Sequence, residues 1–168
     1  YRIEGGYGVE PRWSDRTRKG KMKAYVSRVI EPEEYEKMSN EELFEAIQTG
    51  LYVDEAVADG IFRSTHLAEY LERAIYICPK CGFAEFESNG CEIHCKKCGL
   101  TVTYGEDKTL SCSDEAFTFP FVAQWYDYQK KFVNSVEPAE YVDKPIFVDR
   151  ARYSEVIVYK RKELIREE

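Results

Sequence analysis

Cys78-Pro79-Lys80-Cys81-Gly82 and Cys95-Lys96-Lys97-Cys98-Gly99 decide the reading of this chain, and thirteen residues separate Cys81 from Cys95. Two Cys-x-x-Cys pairs at this separation are the signature of a four-thiolate zinc site. In each pair, two sulfurs converge on one ion from a tight turn. Gly82 and Gly99 supply the positive φ that such a turn often needs. Backbone N–H groups in the turn then hydrogen-bond the sulfurs and offset their charge. Cys78, Cys81, Cys95 and Cys98 are therefore the expected ligands of a structural Zn2+, with zinc ahead of iron. A redox Cys-x-x-Cys normally stands alone at a helix start. A disulfide framework needs an oxidising compartment, to which nothing here points. Cys91, Cys112 and His94 stay outside the site: a Cys91/Cys95 pairing would break the symmetry of the two knuckles, and Cys112 reads as a small buried residue.

Working outward, residues 83–87 and 92–94 flank Asn89-Gly90, a hairpin turn signal, and 100–104 alternate as a third strand. Three short strands and a closed metal site predict a zinc ribbon over about 76–104. Lys80, Lys96 and Lys97 balance Glu85, Glu87 and Glu92 within it. Four thiolates on one Zn2+ add a charge of about −2, a poor footprint for a polyanion, so no nucleic-acid partner is expected.

The flanks predict helices and strands. Ser39-Asn40-Glu41-Glu42 is a capping box ahead of a helix carrying Leu43, Phe44, Ile47 and Leu51. Apolar spacing predicts a second helix over 65–76. A third, over 120–135, opens near Pro120 and carries Phe121, Val122, Trp125, Tyr128 and Phe132; its aromatic face is expected to cover the ribbon or the second helix. Residues 1–9 start as a strand and end in glycines, 22–30 read as a strand closed by Glu31-Pro32, and 146–148 and 156–159 read as tail strands. Gly5-Gly6-Tyr7-Gly8 lacks the Gly-Lys-Ser/Thr ending of a phosphate loop. The sum is an α+β chain. Of its 168 residues 43% are hydrophobic and 14% aromatic, which is too apolar for a disordered chain. Its longest apolar run, residues 74–78, is far too short to span a bilayer. No signal-peptide pattern opens it, and a cytoplasmic location is expected.

The net charge of −7 hides a reversal. From Arg12 to Arg28, seven bases (Arg12, Arg16, Arg18, Lys19, Lys21, Lys23, Arg28) face one acid, Asp15. This is either a solvated edge or a surface for anionic headgroups or a phosphorylated substrate.

Tyr-Arg-Ile-Glu-Gly-Gly-Tyr-Gly at 1–8, Pro-Arg-Trp-Ser-Asp at 11–15 and the strand closing in Glu31-Pro32 resemble the distal part of the lysophosphatidate (acylglycerol-phosphate) acyltransferase family. One bacterial branch of that family is similar further on, with a two-knuckle cysteine module and an aromatic-rich helix like residues 121–126. The family's His and Asp separated by four residues, and its Glu-Gly-Thr-Arg-like motif, are both missing: Leu71 follows His66 at that spacing and Gly99 follows His94. The resemblance therefore implies the C-terminal part of an acyltransferase, with no catalytic residue of its own. It implies an organisation of 1–63 as the end of an acyltransferase-like α/β domain, followed by 64–137 as the zinc ribbon (about 76–104) with flanking helices; the β tail, 138–168, is expected either to dock on the rest or to start a further domain. Arg12, Arg16, Arg18 and Lys19 would then face lysophosphatidate or an anionic membrane on the inner face of the cell. Acyl-CoA or acyl carrier protein would be the partner of the intact enzyme. The competing expectation is a stand-alone zinc ribbon for protein–protein contact.

Overall fold

The computed structural model describes residues 1–56 and 59–143, together with the strands 156–160 and 163–167. Helices and antiparallel strands combine in an α+β architecture that divides into two units, Tyr1–Val136 and Glu137–Glu168.

β1 (Arg2–Glu4) runs into Gly5 and the one-turn helix α1 (Gly6–Val9), and pairs antiparallel with β2 (Lys23–Tyr25), Ile3 opposite Ala24. β2 is shorter than the strand expected over 22–30, and its three residues are exposed. α2 (Pro32–Tyr35) starts on Pro32, whose fixed φ suits a first helical position. α3 (Asn40–Leu51) carries the expected capping box: Ser39 Oγ accepts from the Glu42 N–H at 3.2 Å, and Glu42 Oε2 accepts from the Ser39 N–H at 2.8 Å. Its apolar residues Phe44, Ile47 and Leu51 nevertheless remain exposed, and no residue of α3 is buried.

The helix expected over 65–76 is not formed. Turns and a single 3-10 turn, Leu71–Arg73, take its place. The ribbon captures the backbone first: the Ala68 N–H donates to Gly90 O, the Tyr70 N–H donates to Ser88 Oγ, and Tyr70 itself adopts a φ of 71°. Leu67, Ala68, Leu71 and Ile75 are buried all the same, so the apolar spacing reports contact with the ribbon rather than helical periodicity.

β3 (Ile77–Cys78) and β4 (Gly82–Phe83) pair across the first knuckle. β5 (Phe86–Asn89), β6 (Glu92–Cys95), β7 (Thr101–Tyr104) and β8 (Leu110–Ser111) form an antiparallel meander, one strand more than expected. The hairpin turn is Gly90–Cys91, one residue later than Asn89-Gly90, with Asn89 paired to Glu92. A φ of 61° at Gly90 places the glycine at the first central position, as a type II′ turn requires. Ile93, Cys95, Val102 and Tyr104 alternate inward.

α4 (Val122–Ser135) covers this layer as expected. Trp125 is fully buried, donates its indole N–H to Ile77 O at 2.9 Å, and meets Phe86 and Phe117 edge-on. Gln129 Oε1 accepts from the Tyr76 and Ile77 N–H groups, and its Nε2 donates to Ala74 O.

The first 63 residues belong to the same unit as the ribbon, with no division at 63/64. Phe62 fastens them: its ring is 1% exposed and occupies the space that a Cβ would need at Gly8, Gly20 or Gly60, while its N–H donates to Glu106 O at 2.7 Å. That packing accounts for part of the glycine cluster of residues 5–8. The second unit holds a 3-10 turn, Pro138–Tyr141, and an antiparallel pair, β9 (Val156–Lys160) with β10 (Glu163–Glu167), Lys160 opposite Glu163. The tail strand expected at 156–159 is β9, and the one expected at 146–148 lies outside the described residues.

Candidate metal centre

The four predicted ligands come together. One sulfur from each of Cys78, Cys81, Cys95 and Cys98 lies within 4.8 Å of the other three, and among the described residues no other His, Cys, Asp or Glu group gathers in this way. Cys78 and Cys98 sulfurs are 3.6 Å apart, as are those of Cys81 and Cys95. A disulfide would bring a pair to about 2.05 Å. A tetrahedron with metal–sulfur bonds of about 2.3 Å has edges of about 3.8 Å. The separations match the tetrahedron, so the cluster can hold one metal ion, and the soft, anionic donor set suits a thiophilic one.

Local backbone explains the convergence. Cys78 ends β3, and its partner across the strand pair is Gly82, so the chain turns back within the Cys-x-x-Cys span. Gly82 and Gly99 have φ of 75° and 74°, as the turn chemistry requires. The second knuckle closes with the Cys95 N–H donating to Leu100 O and the Gly99 N–H donating to Cys95 O, both at 2.8 Å. The backbone N–H groups of Lys80 and Cys81 favour the Cys78 thiolate, and that of Leu100 favours the Cys98 thiolate.

The thiols differ in proton affinity. Burial raises Cys78 and outweighs the backbone N–H groups of Lys80 and Cys81. Burial also raises Cys81, and the neighbouring sulfurs of Cys95, Cys78 and Cys98 add to it. Burial pushes Cys98 upward too, but the Leu100 N–H and the three surrounding sulfurs together bring it below its ordinary value. Cys91 and Cys112 stand apart, as expected: the Cys91 thiol faces Ser64 O at 3.8 Å, and the Cys112 sulfur accepts the Asp114 N–H. Cys112 is only part-buried. Lys80 pairs with Asp114 and Lys96 with Glu85 at the rim, both at 2.7 Å.

The predicted anion-binding residues do not form one surface. Arg18 is 4% exposed. Its Nη2 donates to Leu67 O at 2.5 Å, and its guanidinium carbon lies 4.8 Å from the Tyr104 ring centre and 5.7 Å from that of Trp13. This cation–π packing fastens residues 13–18 to the ribbon, so Arg18 cannot face a membrane or a surface phosphate. Arg16 is tied to Glu69, which also takes His66 Nδ1. Arg12 and Lys19 are exposed. Lys19 lines a groove with Lys21, Lys23 and Arg63, three positions missing from the predicted set; the two-residue spacing of the three lysines was the signal available for finding two of them. No helix among the described residues is long and apolar enough to cross a membrane.

The fold and the site define a four-cysteine ribbon that can hold one metal ion, packed against a helix and an N-terminal strand pair. No family model matches the chain, and neither a curated protein nor a solved structure matches it.

Proposed function

We propose that this chain is the C-terminal portion of a phospholipid-biosynthesis acyltransferase, carrying a structural zinc ribbon, and that the intact protein acylates lysophosphatidate at the inner face of the cell membrane. The observation that carries the zinc half is the approach of four sulfurs to tetrahedral spacing. The acyltransferase half draws on the sequence resemblance over residues 1–31. The ribbon braces the strand pair through Phe62, Trp13 and Arg18. Acyl-CoA or acyl carrier protein supplies the acyl group.

The test is an acyl-transfer assay on the intact gene product and on the 168-residue chain. Phosphatidate is expected from the first and none from the second; an intact product inert toward lysophosphatidate with both donors overturns the reading. Metal analysis is expected to find one zinc per chain, and iron with its visible thiolate absorption overturns that assignment. The exposed Phe44, Ile47 and Leu51 on α3 favour a second reading, a protein-interaction module. An in-frame His-x-x-x-x-Asp upstream of Tyr1 decides against it.

A further inference from the structure

We propose that the outer face of α3 docks a cationic amphipathic helix of a partner protein. This surface is independent of the acyltransferase reading; it rests on the interaction-module reading, to which it adds the chemistry of the partner. α3 packs with its apolar side outward. Glu42, Ala46, Thr49 and Gly50 line a groove shared with Arg2, Ser27 and Arg28. Arg2 fastens the helix there, donating from Nε to Gly50 O at 2.9 Å and from Nη2 to Thr49 O at 3.3 Å. At about 100° per residue, these four positions share one side of the helix, and Phe44, Ile47 and Leu51 lie on the other. The three apolar side chains are 66%, 45% and 56% exposed. They stand at i, i+3 and i+7, the anchor spacing by which one helix recognises another.

Charge selects the partner. Residues 31–51 hold seven glutamates and one base, Lys37. Glu34 is taken by Arg28, and Glu42 by the capping box. Among the described residues, the carboxylates of Glu31, Glu33, Glu36, Glu41 and Glu45 make no hydrogen bond or ion pair. Glu41 and Glu45, one turn apart, run along one edge of the apolar stripe, with Glu45 at the border of the Arg2 groove. A helix laid on the stripe therefore meets carboxylates beside its apolar contacts, and lysines or arginines flanking its own apolar residues complement them. Other occupants fit worse. A second copy, its α3 antiparallel about a two-fold axis, sets the acidic edge against itself. An anionic membrane surface repels the same edge. α3 has twelve residues and is about 18 Å long, so a partner helix of similar length covers it.

The experiment titrates the 168-residue chain into three fluorescently labelled helical peptides of about 18 residues. They share a leucine stripe and differ at its edges, which carry lysine, glutamine or glutamate. Anisotropy is expected to rank them in that order, lysine ahead of glutamine by about fivefold at low salt. That gap should close at about 0.5 M salt, where screening is strong. Phe44→Ser with Leu51→Ser should weaken the lysine peptide by at least about 50-fold. Glu41→Gln with Glu45→Gln should weaken it by about fivefold and leave the glutamine peptide unchanged. Glu115→Gln with Asp127→Asn, exposed acids outside α3, should change neither. Bound metal and far-UV circular dichroism should be unchanged in all three variants, showing that they fold. Equal binding of the lysine and glutamine peptides overturns the cationic partner and leaves the interaction-module reading standing; no binding by any of the three peptides removes both. Binding that survives the Phe44 and Leu51 changes, a dimer of the chain lost on those changes, or a preference for anionic vesicles over the peptides each overturns the proposal. So does binding by the 168-residue chain that the intact gene product lacks, since the face is then covered from within.

Discussion

A proton and a metal ion compete for the same sulfurs at Cys78 and Cys81, and burial favours the proton at both. These two thiols stay protonated through neutral pH in the metal-free cluster, so each must release a proton when metal binds. Affinity should therefore fall as pH falls, by at least about 100-fold per pH unit between pH 8 and 6, one factor of ten for each proton. Chelator competition at several pH values measures this slope, and a flat profile would contradict the ligand set. Gly8 makes a different claim at the same scale. A Cβ there would stand 2.3–2.5 Å from three atoms of the buried Phe62 ring. Gly8→Ala should cost about 1–3 kcal/mol in a denaturant titration, whereas Gly50→Ala, with open space around it, should cost nothing and gain slightly from helix propensity.

At the scale of elements, α4 is held to the first knuckle by one glutamine as much as by its aromatic residues. Gln129 is 1% exposed and satisfies the N–H groups of Tyr76 and Ile77 and the carbonyl of Ala74. Gln129→Leu keeps the volume but strands three backbone groups; at about 1–3 kcal/mol for each unsatisfied group, it should approach the cost of truncating Trp125, about 3–5 kcal/mol for Trp→Ala. The exposed Gln124 changed to Leu is the control, and equal melting of the two variants would refute the claim. Gln129 also marks where sequence reading runs short. Cys-x-x-Cys spacing and the capping box are local chemistry, and both were legible because the partners lie within four residues. A glutamine on an aromatic helix face carries no such mark, because its partners lie more than fifty residues away. The turns at 65–76 escape sequence reading for a related reason: their N–H groups bond well beyond one helical turn, to Gly90 and Ser88, which no helical spacing records. Arg18 shows the converse, a residue that joins a basic run by composition and the core by packing.

At the scale of the molecule, the metal centre and the N-terminal strand pair should lose structure together. Structural zinc sites contribute folding free energy directly. In this chain the contribution does not stop at the knuckles. Cys78 and Cys95 are themselves members of the buried core, together with Phe86, Ile93, Val102 and Trp125. Trp13 belongs to that core and meets Tyr104 edge-on, while Arg18 spans to Leu67. Phe62 and Lys108 tie the same region from opposite sides, through Glu106 O and Glu55 O. Without metal, the mutual approach of four sulfurs loses its reason, and β6 and β7 lose the support that Tyr104 needs to hold Trp13. Stripping the metal should therefore red-shift the fluorescence of both tryptophans. It should also remove hydrogen-exchange protection at Lys19 and Arg63, which lie more than ten residues outside the knuckles. Retained protection at those two amides, with protection lost only over 76–104, would show the ribbon and the strand pair to be independent folding units.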